Sequence, residues 1–273
     1  MILLAHCPDS TGLVAKISNF FASDNLNILK LEEHTERGQF FIRIQSTTPK
    51  NISDFSKRFK KLSEEIDMQF SVYSEQEKTK VVLFCSATLP TPLEIILGEI
   101  SESLPIEIVH IISNHETIKP IAEKFNINFS YVSSEENNLH EQEHIKILEN
   151  IDYDVICLAR YMKIISDDFL QKISNPIINI HHSFLPSFIG GRPYEMAFER
   201  GVKLIGATSH FVTKDLDEGP IIAQDVFHIG HGLSLQDMKK EGANIEKKVF
   251  SEAIKKFSEH KIIEWKGRTI VFG

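Results

Sequence analysis

From residue 80 onward the chain alternates short, almost uninterrupted apolar runs with stretches whose apolar residues recur at helical spacing. "KVVLFCSA", "IEIVHIISN", "NFSYVS", "YDVICLA" and "PIINIHH" read as strands. "TPLEIILGEISESL", "ETIKPIAEKF" and "HEQEHIKILEN" read as helices between them, the first with Pro92 in its opening turn. A strand that is apolar throughout has no face to offer water, so its sheet must be covered on both sides. Strands alternating with helices give parallel neighbours joined by crossovers. The expectation is a Rossmann-like, mostly parallel α/β domain, with any ligand lying beyond the carboxyl ends of the strands.

The rhythm before residue 74 is different. "ILLAH" is a strand, "CPDSTG" a turn, and "LVAKISNFFASDN" carries Leu13, Ile17, Phe20 and Phe21 at helical spacing. "LNILKLEEHTE" and "QFFIRIQST" read as strands joined at Arg37-Gly38. "NISDFSKRFKKLSEEI" is a helix capped by Asn51 or Ser53, and "DMQFSVYS" a closing strand. The order β-α-β-β-α-β predicts a ferredoxin-like α+β domain. The polar stretch Ser74–Lys80 reads as a linker, which sets the domains at 1–75 and 76–273.

Composition narrows the function. A net charge of −8 argues against a nucleic-acid partner, whose phosphates demand Lys and Arg. Cys7, Cys85 and Cys157 form no disulfide framework, and the last two sit inside apolar runs, which points to a reducing compartment. "MILLAHCPDSTG" has no basic leader, and no apolar run approaches bilayer length. A cytoplasmic protein without a membrane partner is expected.

The run Ile177–Ile180 is apolar except for Asn179, and it ends in His181 and His182 before "SFLPSFIGG" forces a turn. Side chains alternate along a strand, so Asn179 and His181 share a face and His182 points away. "LIGATSHF" is a second strand, with His210 near its end. The loop "TKDLDEGP" after it carries Asp215, Asp217 and Glu218, and "IIAQDVFHI" returns as a strand. An amide donor, an imidazole and a carboxylate together suit attack on a carbonyl through a tetrahedral intermediate, with water or an amine as nucleophile. His228 and His231 have no cysteine or carboxylate at ligand spacing, so no metal is expected there. The pair Gly190-Gly191 suits a tight turn.

Two resemblances follow from these motifs. "CPDSTGLVAKISNFFASDNLNI" is similar to the start of an ACT domain, a small-molecule sensing module. The turn from Asp9 to Gly12 matches the place where that family binds amino acids, with Ser10-Thr11 where an Arg-Pro pair is common. "NIHHSFLPSF" with "GATSHFVTKDLDEGPII" resembles the folate-dependent formyltransferases. The ACT-like front, the His-His pair, "GGRPYEMAFERGVK" and the "IEKKVF…GRTIVF" ending resemble the branch of that family that hydrolyses 10-formyltetrahydrofolate, over essentially the whole chain.

The resemblance implies catalytic roles for Asn179, His181 and Asp217, with His210 beside them. Asn179 would donate to the formyl oxygen. A protonated His181 would stabilise the oxyanion and protonate the leaving nitrogen, and Asp217 would deprotonate the attacking water. The pterin pocket would be lined from "CLARYMKIIS" by Met162, Lys163 and Ile165. "CSATLPT" lacks the glycine-rich phosphate cradle of a ribonucleotide transformylase, and no extra tRNA-binding domain follows before Gly273, so water is the implied acceptor. That segment also departs from the pattern usual in the hydrolytic branch. The resemblance further implies a folate substrate with no cofactor, an amino-acid effector at Asp9 and Gly12, and a homodimer or homotetramer. Transfer to an amine and folate or amino-acid sensing without catalysis are the alternatives.

Overall fold

The structure is a computed structural model that describes residues 1–134, 139–187, 193–230 and 232–273. Gly190, Gly191 and His231 lie outside the described residues. Two compact units are present. One comprises Met1–Glu77, Glu259–Trp265 and Thr269–Gly273, and the other Lys78–Ser258 and Lys266–Arg268.

The first unit runs β1 (Ile2–Pro8), α1 (Leu13–Ser23), β2 (Ile28–Glu36), β3 (Gln39–Ser46), α2 (Ile52–Glu65) and β4 (Gln69–Tyr73). Its antiparallel sheet has the order β2-β3-β1-β4, the ferredoxin-like arrangement. Arg37 and Gly38 turn the β2–β3 hairpin with φ of 51° and 73°. Both central residues at positive φ match the right-handed twist of the strands, and glycine reaches that region without a steric penalty. Asn51, not Ser53, caps α2, its side chain accepting from Asp54 N. Leu3, Ala5, Cys7, Phe40, Ile42 and Ile44 pack with the helical residues Leu13, Ile17, Phe21, Phe55 and Phe59.

The alternate residues of that sheet explain why "FFIRI" is buried on both sides. Leu4 and Phe41 pack against Ile263, Ile270, Phe272 and Trp265 of a C-terminal hairpin, β12 (Ile262–Trp265) and β13 (Arg268–Val271). Arg43, 4% exposed, donates to the carbonyls of Glu259 and His260. The sequence reading places residues 259–273 with the second domain, whereas most of them group with the first unit. The pairing that decides this joins residues more than 200 positions apart and leaves no local trace.

The second unit contains β5 (Thr79–Cys85), α3 (Pro90–Ile100), β6 (Ile106–Ser113), a 3₁₀ turn at Glu116–Ile118 leading into α4 (Lys119–Lys124), and β7 (Phe129–Tyr131). It continues with α5 (Leu139–Leu148), β8 (Val155–Ala159), α6 (Asp167–Lys172), β9 (Ile177–His181), α7 (Pro193–Arg200), β10 (Leu204–Phe211), β11 (Ile221–His228) and α8 (Leu235–Ser258). The sheet order is β11-β10-β9-β8-β5-β6-β7. Strands β5 to β9 are mutually parallel, and β10 and β11 are added antiparallel at one edge. The fold is therefore the mostly parallel α/β sheet expected, preceded by a small antiparallel α+β unit. Helices α6, α7 and α8 are additions to the elements read from the sequence.

Winding starts at β5 and proceeds outward both ways, through β6 and β7 on one side and β8 and β9 on the other. The switch point lies between β5 and β8, where open α/β sheets leave a crevice. The loops there begin at Ser86 and Arg160. Among the described residues no helix is long and apolar enough to cross a membrane.

Candidate active site

Asn179 and His181 stand two apart on β9 and share one face. The antiparallel register pairs Asn179 directly with His210 of β10, and His181 with Thr208. Residues directly opposite on paired strands present side chains on the same face, so His210 joins the other two. The amide nitrogen of Asn179 lies 3.3 Å from His210 Nε2, and His210 Nδ1 lies 2.8 Å from the carbonyl of Phe211. The Phe211 carbonyl can only accept, so His210 Nδ1 carries a proton.

Asp217 reaches this face from the β10–β11 loop. Its Oδ2 lies 3.3 Å from His181 Nδ1, and its Oδ1 lies 3.6 Å from His210 Nε2. The loop is shaped for this. Asp217 has φ 58°, a left-handed conformation that Asp tolerates better than most residues. Gly219 follows, and a Cβ there would stand 1.7 Å from the carbonyl oxygen of Phe211, so only glycine fits. Phe211 N donates to the Pro220 carbonyl and closes the loop.

Burial alone raises the proton affinity of the Asp217 carboxyl. The imidazoles of His181 and His210 outweigh it and hold the group well below the usual carboxylate range. His181 is 5% exposed, and its Nε2 is buried without a hydrogen-bond partner. The site thus holds a carboxylate kept ionised by its imidazole neighbours, a histidine whose Nδ1 faces it while Nε2 has no partner, and an amide beside them.

The turn after β9 is tied down separately. Thr208 Oγ1 donates to Ser183 O and accepts from Leu185 N and Gln224 Nε2. The Leu185–Pro186 peptide bond is cis. The alternation expected to turn His182 away from His181 ends with β9: the His182 ring lies 5.2 Å from that of His181 and 5.9 Å from that of Tyr194. Asp215 and Glu218 stay within the loop, where Glu218 N donates to Asp215 O.

The other residues singled out from the sequence lie elsewhere. Met162 and Lys163 are exposed on the loop after β8, at the switch point. Met162 N donates to the buried hydroxyl of Ser86, the second residue of "CSATLPT". Lys163 Nζ lies 3.4 Å from Ser134 O, and Ile165 packs against the hydrophobic core. Asp9 and Gly12 belong to the first unit. Both are exposed, and Gly12 begins α1 with φ 88°. Among the described residues no group of three or more His, Cys, Asp or Glu is arranged to hold a metal ion.

One group near the site is not marked in the sequence. Arg160, at the end of β8, lies 3.5 Å from the buried carboxylate of Glu246, which accepts from the Tyr194 hydroxyl at 2.6 Å. The three residues are 34 and 52 positions apart, so only the fold assembles them.

The family model described as "Formyl transferase" matches residues 79–254. A formyltetrahydrofolate deformylase of Bacillus subtilis (strain 168) is 41% identical, over 99% of this chain and 93% of its own. One from Escherichia coli (strain K12) is 36% identical, over 99% of this chain and 97% of its own. The crystal structure of a formyltetrahydrofolate deformylase from Pseudomonas syringae pv. tomato str. DC3000 superposes with a TM-score of 0.96 at 35% identity, covering 100% of this chain and 94% of that one. A glycinamide ribonucleotide transformylase from Symbiobacterium toebii covers 74% of this chain at 25% identity, with a TM-score of 0.69.

Proposed function

The chain belongs to the formyltetrahydrofolate deformylase family, and we propose that Asn179, His181 and Asp217 carry out its hydrolysis of 10-formyltetrahydrofolate to formate and tetrahydrofolate. The observation that supports these roles is the two-sided environment of His181, with Asp217 at Nδ1 and no partner at Nε2. An anchored imidazole with one open nitrogen is the arrangement of a general base that later acts as an acid.

The proposed steps are as follows. The Asp217 carboxylate accepts from His181 Nδ1, leaving the Nε2 lone pair open. Water attacks the formyl carbon while Nε2 takes one of its protons. The new C–O bond forms, and the carbonyl electron pair moves to the oxygen, where the Asn179 amide donates to the growing charge. Asp217 stabilises the imidazolium. As the intermediate collapses, the C–N10 bond breaks and N10 receives the proton from Nε2, releasing formate and tetrahydrofolate.

This differs from the sequence reading, which has His181 protonated from the start and gives proton abstraction to Asp217. Both oxygens of that carboxylate already face imidazoles, and its proton affinity is low. His181 is the better base. The test is the rate of formate release by His181→Gln, which removes the proton carrier. A loss of at least about a hundredfold is expected, and near-normal turnover by folded His181→Gln excludes the assignment.

The pterin is placed at the switch point, against Met162 and Lys163 with Ile165 beneath. Support comes from the exposure of the first two at the carboxyl end of β8. The ACT-like unit over residues 1–75 is assigned a regulatory and assembly role, in a homodimer or homotetramer, with an amino-acid effector at the Asp9–Gly12 turn. The exposed, glycine-shaped turn at the start of α1 supports this. Thermal shifts with free amino acids, lost in Asp9→Ala, and sedimentation of the intact chain test it. A chain that sediments as a monomer and responds to no amino acid excludes it.

A further inference from the structure

The Arg160–Glu246–Tyr194 group takes no part in the steps above, yet it places two charges in the protein interior. Glu246 is 3% exposed, and Arg160 Nε and Nη1 are buried without hydrogen-bond partners. Burying such a pair costs several kcal/mol per ion before its attraction is counted, so packing alone does not favour it over apolar side chains.

The surroundings are built to hold it. Arg160 adopts φ 61°, the left-handed region, at the step where β8 ends. Gly242 lies one helical turn before Glu246 on α8. A Cβ at Gly242 would stand 2.1 Å from the Tyr194 hydroxyl, so the missing side chain is what lets the phenol lie on the helix and reach Glu246. Tyr194 packs against His182, whose ring centroid lies 5.2 Å from that of His181, and α8 packs across β9. The group therefore adjoins the catalytic histidine.

We propose that Arg160, Tyr194 and Glu246 form a positioning group that sets the charge balance around His181, with the Glu246 carboxylate as a second anion, beyond Asp217, that supports its imidazolium. This rests on the role assigned to His181. Burial pushes the Glu246 carboxyl up, while Arg160, the Tyr194 hydroxyl and the charge of His181 draw it back down. Such coupling is reciprocal, so the two groups sense one another's charge. Among the described residues, the charged and titratable groups brought toward His181 are Asp217 from the β10–β11 loop, His210 from β10, His182 just after β9, Tyr194 from α7, Glu246 from α8 and Arg160 just after β8. Of these, only Asp217 and Glu246 are carboxylates.

The test is an NMR titration of the His181 ring resonance in the intact protein, assigned with His181→Gln. Glu246→Gln leaves Arg160 as an uncompensated cation, and the His181 midpoint is expected to fall by about one pH unit. Removing both charges in Arg160→Met/Glu246→Gln is expected to return it to within about half of that shift. Tyr194→Phe keeps both charges but weakens the hold on the Glu246 anion, and is expected to move the midpoint downward by less. It carries the test should Glu246→Gln fail to fold. An unmoved midpoint in folded Glu246→Gln, or in Tyr194→Phe, overturns the proposal. So does an equal shift in the single and double variants, which would mark the effect as structural. The titration needs no turnover, so failure of this inference and failure of the assigned reaction are seen separately.

Discussion

Asp217 Oδ2 lies 3.3 Å from His181 Nδ1, although the two residues are 36 positions apart and on different elements. The β10–β11 loop brings them together, and it does so through Gly219, whose absent side chain lets the loop close against Phe211. The chemistry assigned to the site depends on this approach, because it leaves His181 Nε2 as the open nitrogen.

Asn179→Ala removes the donor to the formyl oxygen. Formate release should fall by about a hundred- to a thousandfold. The circular dichroism spectrum and melting temperature should stay close to those of the parent, because Asn179 is only partly buried.

Asp217 supplies a pH signature. Its carboxyl is held below the ordinary value, so its stabilising contribution is complete above the unfolded pKa, about 3.9, and is lost as pH falls through the lower folded value. The gap in urea stability between the parent and Asp217→Asn should therefore be flat from pH 6 down to about 4 and narrow below it. A gap that stays unchanged below pH 4 would show a carboxyl that is not depressed.

Gly219→Ala tests the loop. The new methyl meets a backbone oxygen, which cannot rotate aside as a side chain does. A destabilisation of about 3 kcal/mol is expected, together with a loss of kcat as Asp217 is displaced from His181. Urea unfolding and initial rates check the two effects.

Cys7, Cys85 and Cys157 are all fully buried, and burial pushes the first two thiols up to about 11 and about 12. The thiolate is the reactive form. A thiol reagent at pH 8 should label none of them in the native protein and all of them after denaturation.

Much of the fold was legible because its causes are local. The apolar strands and the intervening helical periodicity announce a covered parallel sheet, and the period of two puts Asn179 and His181 on one face. Arg37-Gly38 announces its hairpin. What was not legible depends on register and long-range packing. The pairing of Asn179 with His210 is set by the antiparallel alignment of β9 and β10. The C-terminal strands around Ile263 and Ile270 carry an ordinary hairpin pattern that says nothing of which sheet they cover. Arg160, Tyr194 and Glu246 look like unremarkable surface residues until three elements converge on them. Asp217 stood out from Asp215 and Glu218 only through the resemblance of its loop, since spacing alone does not choose among three acidic residues.

The most direct measurement is formate release from 10-formyltetrahydrofolate by the purified protein, with no amine present, for the parent and for Asp217→Asn. The expected result is steady release of formate and tetrahydrofolate by the parent, and a loss of at least about a hundredfold in a variant that still folds. Release at the parental rate by folded Asp217→Asn, or release by the parent only after an amine acceptor is added, would contradict the assignment of water as nucleophile and of the Asp217–His181 pair as the machinery.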